Sequence, residues 1–364
     1  MNSESPLLLI GLGTAGTAMA RGVNRAFGEG LRYVLADTDV VSGEGGGPFV
    51  LLGGDRLSGR GSGGDVVAGR LAAESSIKQL DKHLEGVRIA IIVTALGGGT
   101  GGGATLEAVK HLSDRGVPSV VFASTPCAFE GEDRPRNARG VMSMIEVSAN
   151  ATVFVARDKL VGDIDNMDDA MHRAIDLLAG GITLFWRLVE KPGYIRLDAE
   201  RIRHIISGAG RGRFACVTAQ GPNRADDVVD KLIRNELLAT SSGPVRSTLC
   251  GVLAGNDLLL SEVGKIADGV RGAFGGNTFD LATVNDETTF SGRLSVVVLL
   301  FESGAKSDDD VKPGSVMSGR RRRIKGASQG PSGRGRFNNV EPTIWNGEDL
   351  DIPTFIRKNL TLDF

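Results

Sequence analysis

Leu96-Gly-Gly-Gly-Thr-Gly-Gly-Gly103 is the stretch on which the reading of this chain turns. Six glycines surround one threonine, directly after the apolar run Ile89-Ala-Ile-Ile-Val-Thr-Ala95 and before a helical stretch from Ala104. Lacking Cβ atoms, such a backbone folds tightly and aims successive N–H groups at an anion. The helix that follows adds its positive N-terminal end. A flexible hinge is the plainer alternative, but hinges rarely sit so neatly between strand and helix. Two more glycine turns precede this one. Gly11-Leu-Gly13-Thr-Ala-Gly16 follows a strand and opens a helix, and Asp37 ends the next strand about 20 residues on, the dinucleotide spacing. Taken alone, that pair predicts an NAD-dependent oxidoreductase. Gly61-Ser-Gly-Gly-Asp-Val-Val-Ala-Gly69 is the third turn. Three such turns in one domain suit a di- or triphosphate better than a dinucleotide.

Outward from the glycines, short apolar runs at 7–10, 31–36, 89–95, 118–123 and 152–155 alternate with helical stretches at 14–27, 66–85 and 104–115. This order predicts a parallel sheet covered on both faces. Met167 to Glu190 reads as one long buried helix. Strand-like runs at 213–218, 247–254, 279–284 and 293–301 then flank helical stretches at 225–237 and 259–273. The expected fold is α/β. A Rossmann-like parallel-sheet nucleotide domain spans 1–166, a central helix and following loop 167–200, and a smaller α/β or α+β domain 201–302. Residues 303–340 are rich in Gly, Ser, Asp and Arg and predict a disordered linker; residues 341–364 form a C-terminal peptide. Within the linker, Arg320-Arg-Arg-Arg323 and Lys325 are either a solvated basic stretch or a contact for an anionic surface.

Composition narrows the functional classes. With 364 residues and 41% hydrophobic content the chain can bury a core, so whole-chain disorder is excluded. A formal net charge of −2 gives no overall basic footprint, so nucleic acid is not an expected partner. Cys127, Cys216 and Cys250 are too scattered for a disulfide framework or a zinc site, and no metal ligands are assigned. No apolar run reaches the ~18 residues that span a bilayer, which predicts a soluble intracellular protein without direct membrane insertion.

The glycine turns resemble those of the tubulin/FtsZ family, within it the bacterial cell-division branch, over residues 7–302 and 348–358. Gly97–Gly103 is similar to the family's Gly-Gly-Gly-Thr-Gly-(Ser/Thr)-Gly signature. Thr14–Ala18 fall where its first phosphate loop lies, and Asp37-Thr-Asp39 resembles its Asn-Thr-Asp. Gly61–Gly69 resembles another of its loops without the proline. Pro126-Cys-Ala-Phe-Glu-Gly131 with Arg134 resembles its Pro-Phe-x-Phe-Glu-Gly-x-x-Arg segment, and Ala156-Arg-Asp-Lys-Leu160 its Pro-Asn-Asp-Lys-Leu. The resemblance implies GTP or GDP, with Mg²⁺, held by Gly13, Thr14, Ala15, Gly16, Thr17, Ala18 and Gly97, Gly98, Gly99, Thr100, Gly101, Gly102, Gly103. It further implies that Glu130 holds the ribose and Arg134 approaches the phosphates. A head-to-tail homopolymer in the cytoplasm at the division site follows from the same likeness. Asp351-Ile-Pro-Thr-Phe-Ile-Arg357, inside the 348–358 peptide, looks like the segment the family presents to membrane anchors and other division proteins.

The chain also departs from the family pattern. The first-loop Asn is Ala18, and the Asn before Asp-Lys-Leu is Arg157, which can donate twice to guanine O6 and N7. Placed without gaps, the family's Asn-Asp pair on the central helix falls on His172-Arg173, where an exposed helix face is the alternative reading. In the family, a loop Asn-x-Asp-x-x-Asp from the neighbouring subunit positions the attacking water. Here that loop is Arg196-Leu-Asp198-Ala-Glu-Arg201. Asp198 survives, Glu200 is offset by one residue, or about 100° on a helix, and Arg201 replaces an acid. An arginine stays protonated and accepts no proton from water. Slow hydrolysis is therefore expected, unless Arg201 acts as a charge-stabilising finger. A nucleotide-binding scaffold without turnover and the dinucleotide-dependent oxidoreductase are the competing readings.

Overall fold

The computed structural model describes residues 5–28, 30–161, 166–191, 193–239, 243–302, 344–345 and 348–349. In chain order the first half carries β1 (Leu7–Leu12), α1 (Gly13–Phe27), β2 (Tyr33–Asp37), β3 (Phe49–Leu51), α2 (Gly54–Leu57), α3 (Val66–Ser76), β4 (Ile89–Ala95), α4 (Gly99–Asp114), β5 (Ser119–Thr125), α5 (Asp133–Ser148), β6 (Ala151–Ala156) and α6 (Asp158–Val161). The second half carries α7 (Met167–Glu190), α8 (Ala199–Ile206), β7 (Gly210–Gln220), α9 (Arg224–Ile233), α10 (Glu236–Ala239), β8 (Val245–Ala254), α11 (Leu260–Phe274), β9 (Thr278–Asn285), α12 (Glu287–Phe290) and β10 (Arg293–Glu302).

These ten strands join one sheet in the order β3-β2-β1-β4-β5-β6-β7-β10-β8-β9. β1 to β7 run parallel to one another; β10 is antiparallel to both β7 and β8, and β9 lies parallel to β8. The fold is thus the expected α/β type, with a parallel first half and a mixed second half. Residues 311–364 form a separate unit, in which β11 (Ile344–Trp345) pairs antiparallel with β12 (Glu348–Asp349). Nearly all of the linker and the C-terminal peptide, including Arg320–Arg323, Ile352, Phe355 and Ile356, lies outside the described residues.

Every residue of β1 is buried, because helices cover both faces of a parallel sheet. Alternation then sorts the side chains by face. Leu7, Leu9 and Ile91 pack with Met19 and Val23 of α1 and with Ile182, Phe185 and Trp186 of α7. Leu8, Ile10 and Ile92 pack on the other face with Val109 and Leu112 of α4 and Ile145 of α5. The α7 cluster also takes in Leu249, Leu253 and Val297 from the second half, so one core runs across both halves.

The helical stretches differ from the sequence reading in three places, one of them 225–237, which divides into α9 and α10. The stretch 66–85 is α-helical only to Ser76 and continues as a 3₁₀ segment to His83. The glycine stretch expected as a loop up to Gly103 is instead the first turn of α4 from Gly99 onward. Its glycines are needed for close approach. A Cβ on Gly99 would lie 2.3 Å from the Asp65 carbonyl oxygen, and one on Gly103 2.4 Å from that of Val66, at the start of α3. A Cβ on Gly101 would lie 2.2 Å from the Ala95 carbonyl oxygen.

Arg187 of α7 ties the halves together while only 6% exposed. Its guanidinium pairs with Asp286 at 3.1 Å and donates to the Ala26 and Phe27 carbonyls at the C-terminus of α1, where a cation is favoured. Phe27 and Phe290 lie against it. Burial alone would raise the Asp286 carboxyl, but hydrogen bonds from Thr289 and the charges of Lys191 and Arg187 outweigh it and hold the group below the usual carboxylate range. Removing one member of such a pair strands the other, which costs ~3–5 kcal/mol. Arg187→Ala should therefore lower the urea-derived unfolding free energy by about that amount. A depressed carboxyl contributes stability above its unfolded pKa of about 3.9 and loses it as pH falls through the lower folded value. Acid titration of the wild type should show this loss, and Arg187→Ala should show less of it.

Candidate functional site

Two helix N-termini meet at the C-terminal edge of the sheet. α1 begins at Gly13 directly after β1, and α4 begins at Gly99 after β4, and β1 and β4 are neighbours whose chains leave to opposite sides. Crevices of doubly wound sheets form at such switch points. Neither N-terminus has a side-chain cap: Leu12 and Gly98 occupy the cap positions without one. The first N–H groups of both helices are therefore left for a ligand, with both positive dipole ends aimed at it. The two turns touch, since a Cβ on Gly13 (φ +72°) would lie 3.0 Å from the Gly101 nitrogen. Around them opens a cleft of about 670 Å³.

A web of hydroxyls and one carboxylate fixes the cleft floor. Asp37, 1% exposed at the end of β2, accepts from the Thr14 hydroxyl at 3.0 Å, the Ser42 hydroxyl at 2.5 Å and the Thr38 N–H at 2.7 Å. Thr100 shares hydrogen bonds with Thr38 at 2.5 Å and Ser62 at 3.1 Å, joining the third glycine turn to α4. Asp39, Asp65 and Asp133 reach the cleft, and so do Arg134, Arg136 and Arg157. Arg157 is held by donating to the Thr125 carbonyl at 3.1 Å and to Glu130 at 2.6 Å.

Of the first-loop residues, Gly13, Thr14 and Ala15 line the cleft. Gly16 instead faces β4, where a Cβ would lie 2.5 Å from the Val93 carbonyl oxygen, and Thr17 is buried with its hydroxyl on the Thr14 carbonyl. Ala18 lies outside the cleft lining. Gly97, Gly98, Gly99, Thr100 and Gly101 line it; Gly102 packs toward Val141 and Gly103 toward α3. Gly98 has no atom within 4 Å of its would-be Cβ, so there a side chain would project into open space at the cleft.

Arg134 and Arg157 are cleft residues, but Glu130 sits behind them. It takes Arg134 at 2.5 Å, Arg157 at 2.6 Å and the Cys127 N–H at 2.8 Å. His172 and Arg173 are not brought to the cleft. His172 is exposed, and Arg173 lines a separate hollow with Leu177, Phe214 and Lys231. The α7 residues beside Ala15 and Arg157 are Ala174, Ile175 and Leu178, because the helix turns a later face toward α1. Asp133, Arg136 and Asn137 were missed in the sequence, which shows little apolar periodicity over α5.

The loop carrying Asp198, Glu200 and Arg201 lies at the other end of the sheet. Glu200 pairs with Arg88 at 3.1 Å, just before β4, whereas Gly97 follows β4. Nine residues of extended chain separate these points by roughly 30 Å. Asp198 caps α8 by accepting the Arg201 N–H at 2.7 Å and is exposed. The Arg201 guanidinium is bound to Asp280 of β9 at 2.6 Å, and that hydrogen bond raises its pKa further. Among the described residues, no helix is long and apolar enough to cross a membrane, and no cluster of three metal-ligating side chains occurs.

Comparison with known proteins agrees with this architecture. The family model described as Tubulin/FtsZ family, GTPase domain, matches residues 8–165. Cell division protein FtsZ of Pseudomonas putida is 26% identical over 364 residues, covering 97% of this chain and 89% of that protein. The protein of the same name from Pseudomonas aeruginosa is 28% identical, covering 96% and 88%. In fold, the chain is similar to an empty FtsZ dimer structure from M. jannaschii, with a TM-score of 0.76, 20% identity and coverage of 87% and 95%. It is likewise similar to CetZ2 from Haloferax volcanii, solved as a GTPγS-bound protofilament, with a TM-score of 0.70, 23% identity and coverage of 84% and 95%. A dinucleotide-dependent oxidoreductase is set aside by these findings: residues 8–165 match the GTPase domain of the tubulin/FtsZ family, and the chain shares the fold of FtsZ and CetZ structures.

Proposed function

We propose that this chain is a GTP-binding, filament-forming GTPase of cell division, working in the cytoplasm at the division site. The observation that carries the reading is the convergence of two uncapped helix N-termini on one cleft, with the acid-bearing loop at the far end of the same sheet. A di- or triphosphate fits the cleft, because its backbone N–H groups, two helix dipoles and Arg134 and Arg136 all favour negative charge. Arg157, oriented by Glu130 and Thr125, is placed to donate to the acceptor edge of guanine. Mg²⁺ would be held by phosphate oxygens, with Asp39 and Asp65 on the rim as carboxylate donors, and would neutralise charge there.

A single chain cannot bring Asp198 to its own cleft. A second copy stacked end to end supplies it, and heterologous contacts of that kind propagate into filaments. The relatives named for cell division, and a family member solved as a protofilament, support this reading. In it, 1–166 holds the nucleotide, 167–200 delivers the loop, 201–302 covers the next subunit's cleft, and 341–364 engages an anchor protein across the linker 303–340.

Four expectations test the reading. Wild-type protein should bind GTP by calorimetry, and Gly98→Val should abolish binding while keeping the wild-type melting curve. Gly101→Val, whose Cβ meets the Ala95 carbonyl, should lower the melting temperature instead. Hydrolysis should be slow, because Arg201 stands where an acid is needed and Asp280 holds it in place. Placing Asp at 201 beside Asp280 would oppose two carboxylates, so Arg201→Asp combined with Asp280→Asn is the informative variant. A well-placed general base is worth ~100- to 10,000-fold. Phosphate release at equal polymer mass should rise toward that range; no turnover in either protein would favour the scaffold reading. Deleting 348–364 should leave sedimentable polymer unchanged and abolish recruitment to the division site.

A further inference from the structure

The sheet splits between its two halves. β6 pairs with β7 only where Ala151, Thr152 and Val153 face Gly210, Arg211 and Gly212, although β7 runs on to Gln220. Beyond Gly212 the two strands part, and a hollow of about 730 Å³ opens beside the remaining edge of β7 and the first half of α7. No residue lines both this hollow and the nucleotide cleft. Leu178, Phe214, Val217 and Leu237 give it an apolar floor, and Leu177 is 42% exposed there. The Phe214 ring is fixed by Phe122, edge to face at 5.3 Å. A Cβ on Gly181 would lie 2.4 Å from that ring, so glycine lets α7 seat closely on the floor.

Cations crowd the rim. Lys159 of α6, Arg173 of α7, Lys231 of α9 and Arg234 line the hollow, and Glu236 is the one acid among the lining residues. Lys231 Nζ donates to the Thr218 carbonyl and Lys159 Nζ to the Glu236 carbonyl, both at 2.9 Å, which ties the walls together. Arg173 and Arg234 are exposed, and among the described residues no hydrogen bond or ion pair engages either guanidinium. The fold therefore holds like charges close together above exposed apolar surface, and gains from neither. A ligand with an apolar body and an anionic head satisfies both surfaces at once. The hollow's volume lies in the range of small-molecule sites, ~300–1,000 Å³. A nucleotide, polar over most of its length, does not match the floor.

We propose that this hollow binds an amphiphilic carboxylate of the fatty-acid class: the acyl chain lies on Leu177, Phe214 and Leu237, and the carboxylate meets Arg173 and Arg234. No bond is made or broken. A guanidinium presents a planar fork of N–H donors that matches a carboxylate, and such charge-assisted contacts are the strong class. Arg173 comes from α7 and Arg234 from the turn after α9, so one bound anion joins the central helix to the second half of the sheet. Binding of this kind stabilises the folded chain by mass action. The assignment depends neither on the nucleotide nor on assembly.

Calorimetry on the full chain with octanoate, decanoate and dodecanoate, each kept below its micellar range, tests this. Affinity should rise about fourfold per added methylene, the scale of one buried CH₂. Excess dodecanoate should also raise the melting temperature. Dodecyltrimethylammonium, with the same chain and the opposite charge, should bind at least tenfold more weakly. Arg173→Gln combined with Arg234→Gln should weaken dodecanoate binding at least tenfold, the scale of lost charge-assisted contacts. Leu177→Asp, which sets a carboxylate on the floor, should abolish binding. Both variants change exposed side chains and should melt like wild type without fatty acid. Wild type that binds no dodecanoate would overturn the proposal. Equal affinity for the cationic amphiphile, or undiminished dodecanoate binding by the double variant, would overturn it too.

Discussion

The meeting of two bare helix N-termini constrains most of this molecule. Each contributes roughly half a positive charge and several N–H groups without an internal acceptor. Bringing two such ends together is unfavourable unless an anion sits between them, so the cleft is in effect defined by what must fill it. Close approach also dictates composition. Gly13 abuts Gly101, Gly99 abuts Asp65 and Gly103 abuts Val66, so α1, α3 and α4 are locked by backbone contacts that tolerate no Cβ. The glycines serve the ligand less by lining the cleft than by letting three helices converge on it.

On the filament reading proposed above, that arrangement also accounts for a site completed by a second copy. The parallel sheet sends every glycine turn to one end, since each follows the C-terminal end of a strand. The loop after α7 comes to the opposite end because α7 runs back across the sheet. Strand length alone keeps Asp198 away from the cleft. The same helix carries Arg187, whose contacts with the end of α1 and with Asp286 fix the two halves of the sheet to one another. Cleft, core and loop therefore form one mechanical unit, in which a displaced α7 would disturb both ends.

Arginine recurs where the tubulin/FtsZ pattern that the sequence resembles has acids and amides. At 157 the change brings a donor to the cleft and is stabilised by Glu130 behind it. At 201 it is absorbed by Asp280. At 196 it remains exposed at the end of the sheet opposite the cleft. Similar substitutions in sequence thus have three different physical consequences, set by whether a carboxylate lies within reach.

The alternation of apolar runs and glycine turns was enough to determine the parallel sheet, the long central helix and the strand-to-helix glycine turn at 97–103. Local periodicity and missing Cβ atoms are properties a sequence displays directly. It was not enough for α5, whose mixed surface has little apolar periodicity, and so Asp133, Arg136 and Asn137 went unseen. It also misplaced His172 and Arg173, because the rotation of α7 is set by how Ile182, Phe185 and Trp186 pack, not by spacing from a motif. Nor did it show that Arg201 is tied to Asp280 while Arg196 is not. Those partners are far apart in the chain, and only the edge pairing of the loop with β9 brings them together. Sequence determined which chemistry is present; tertiary packing decided which of those groups line the cleft, which lie exposed at the far end of the sheet and which are neutralised by a carboxylate within reach.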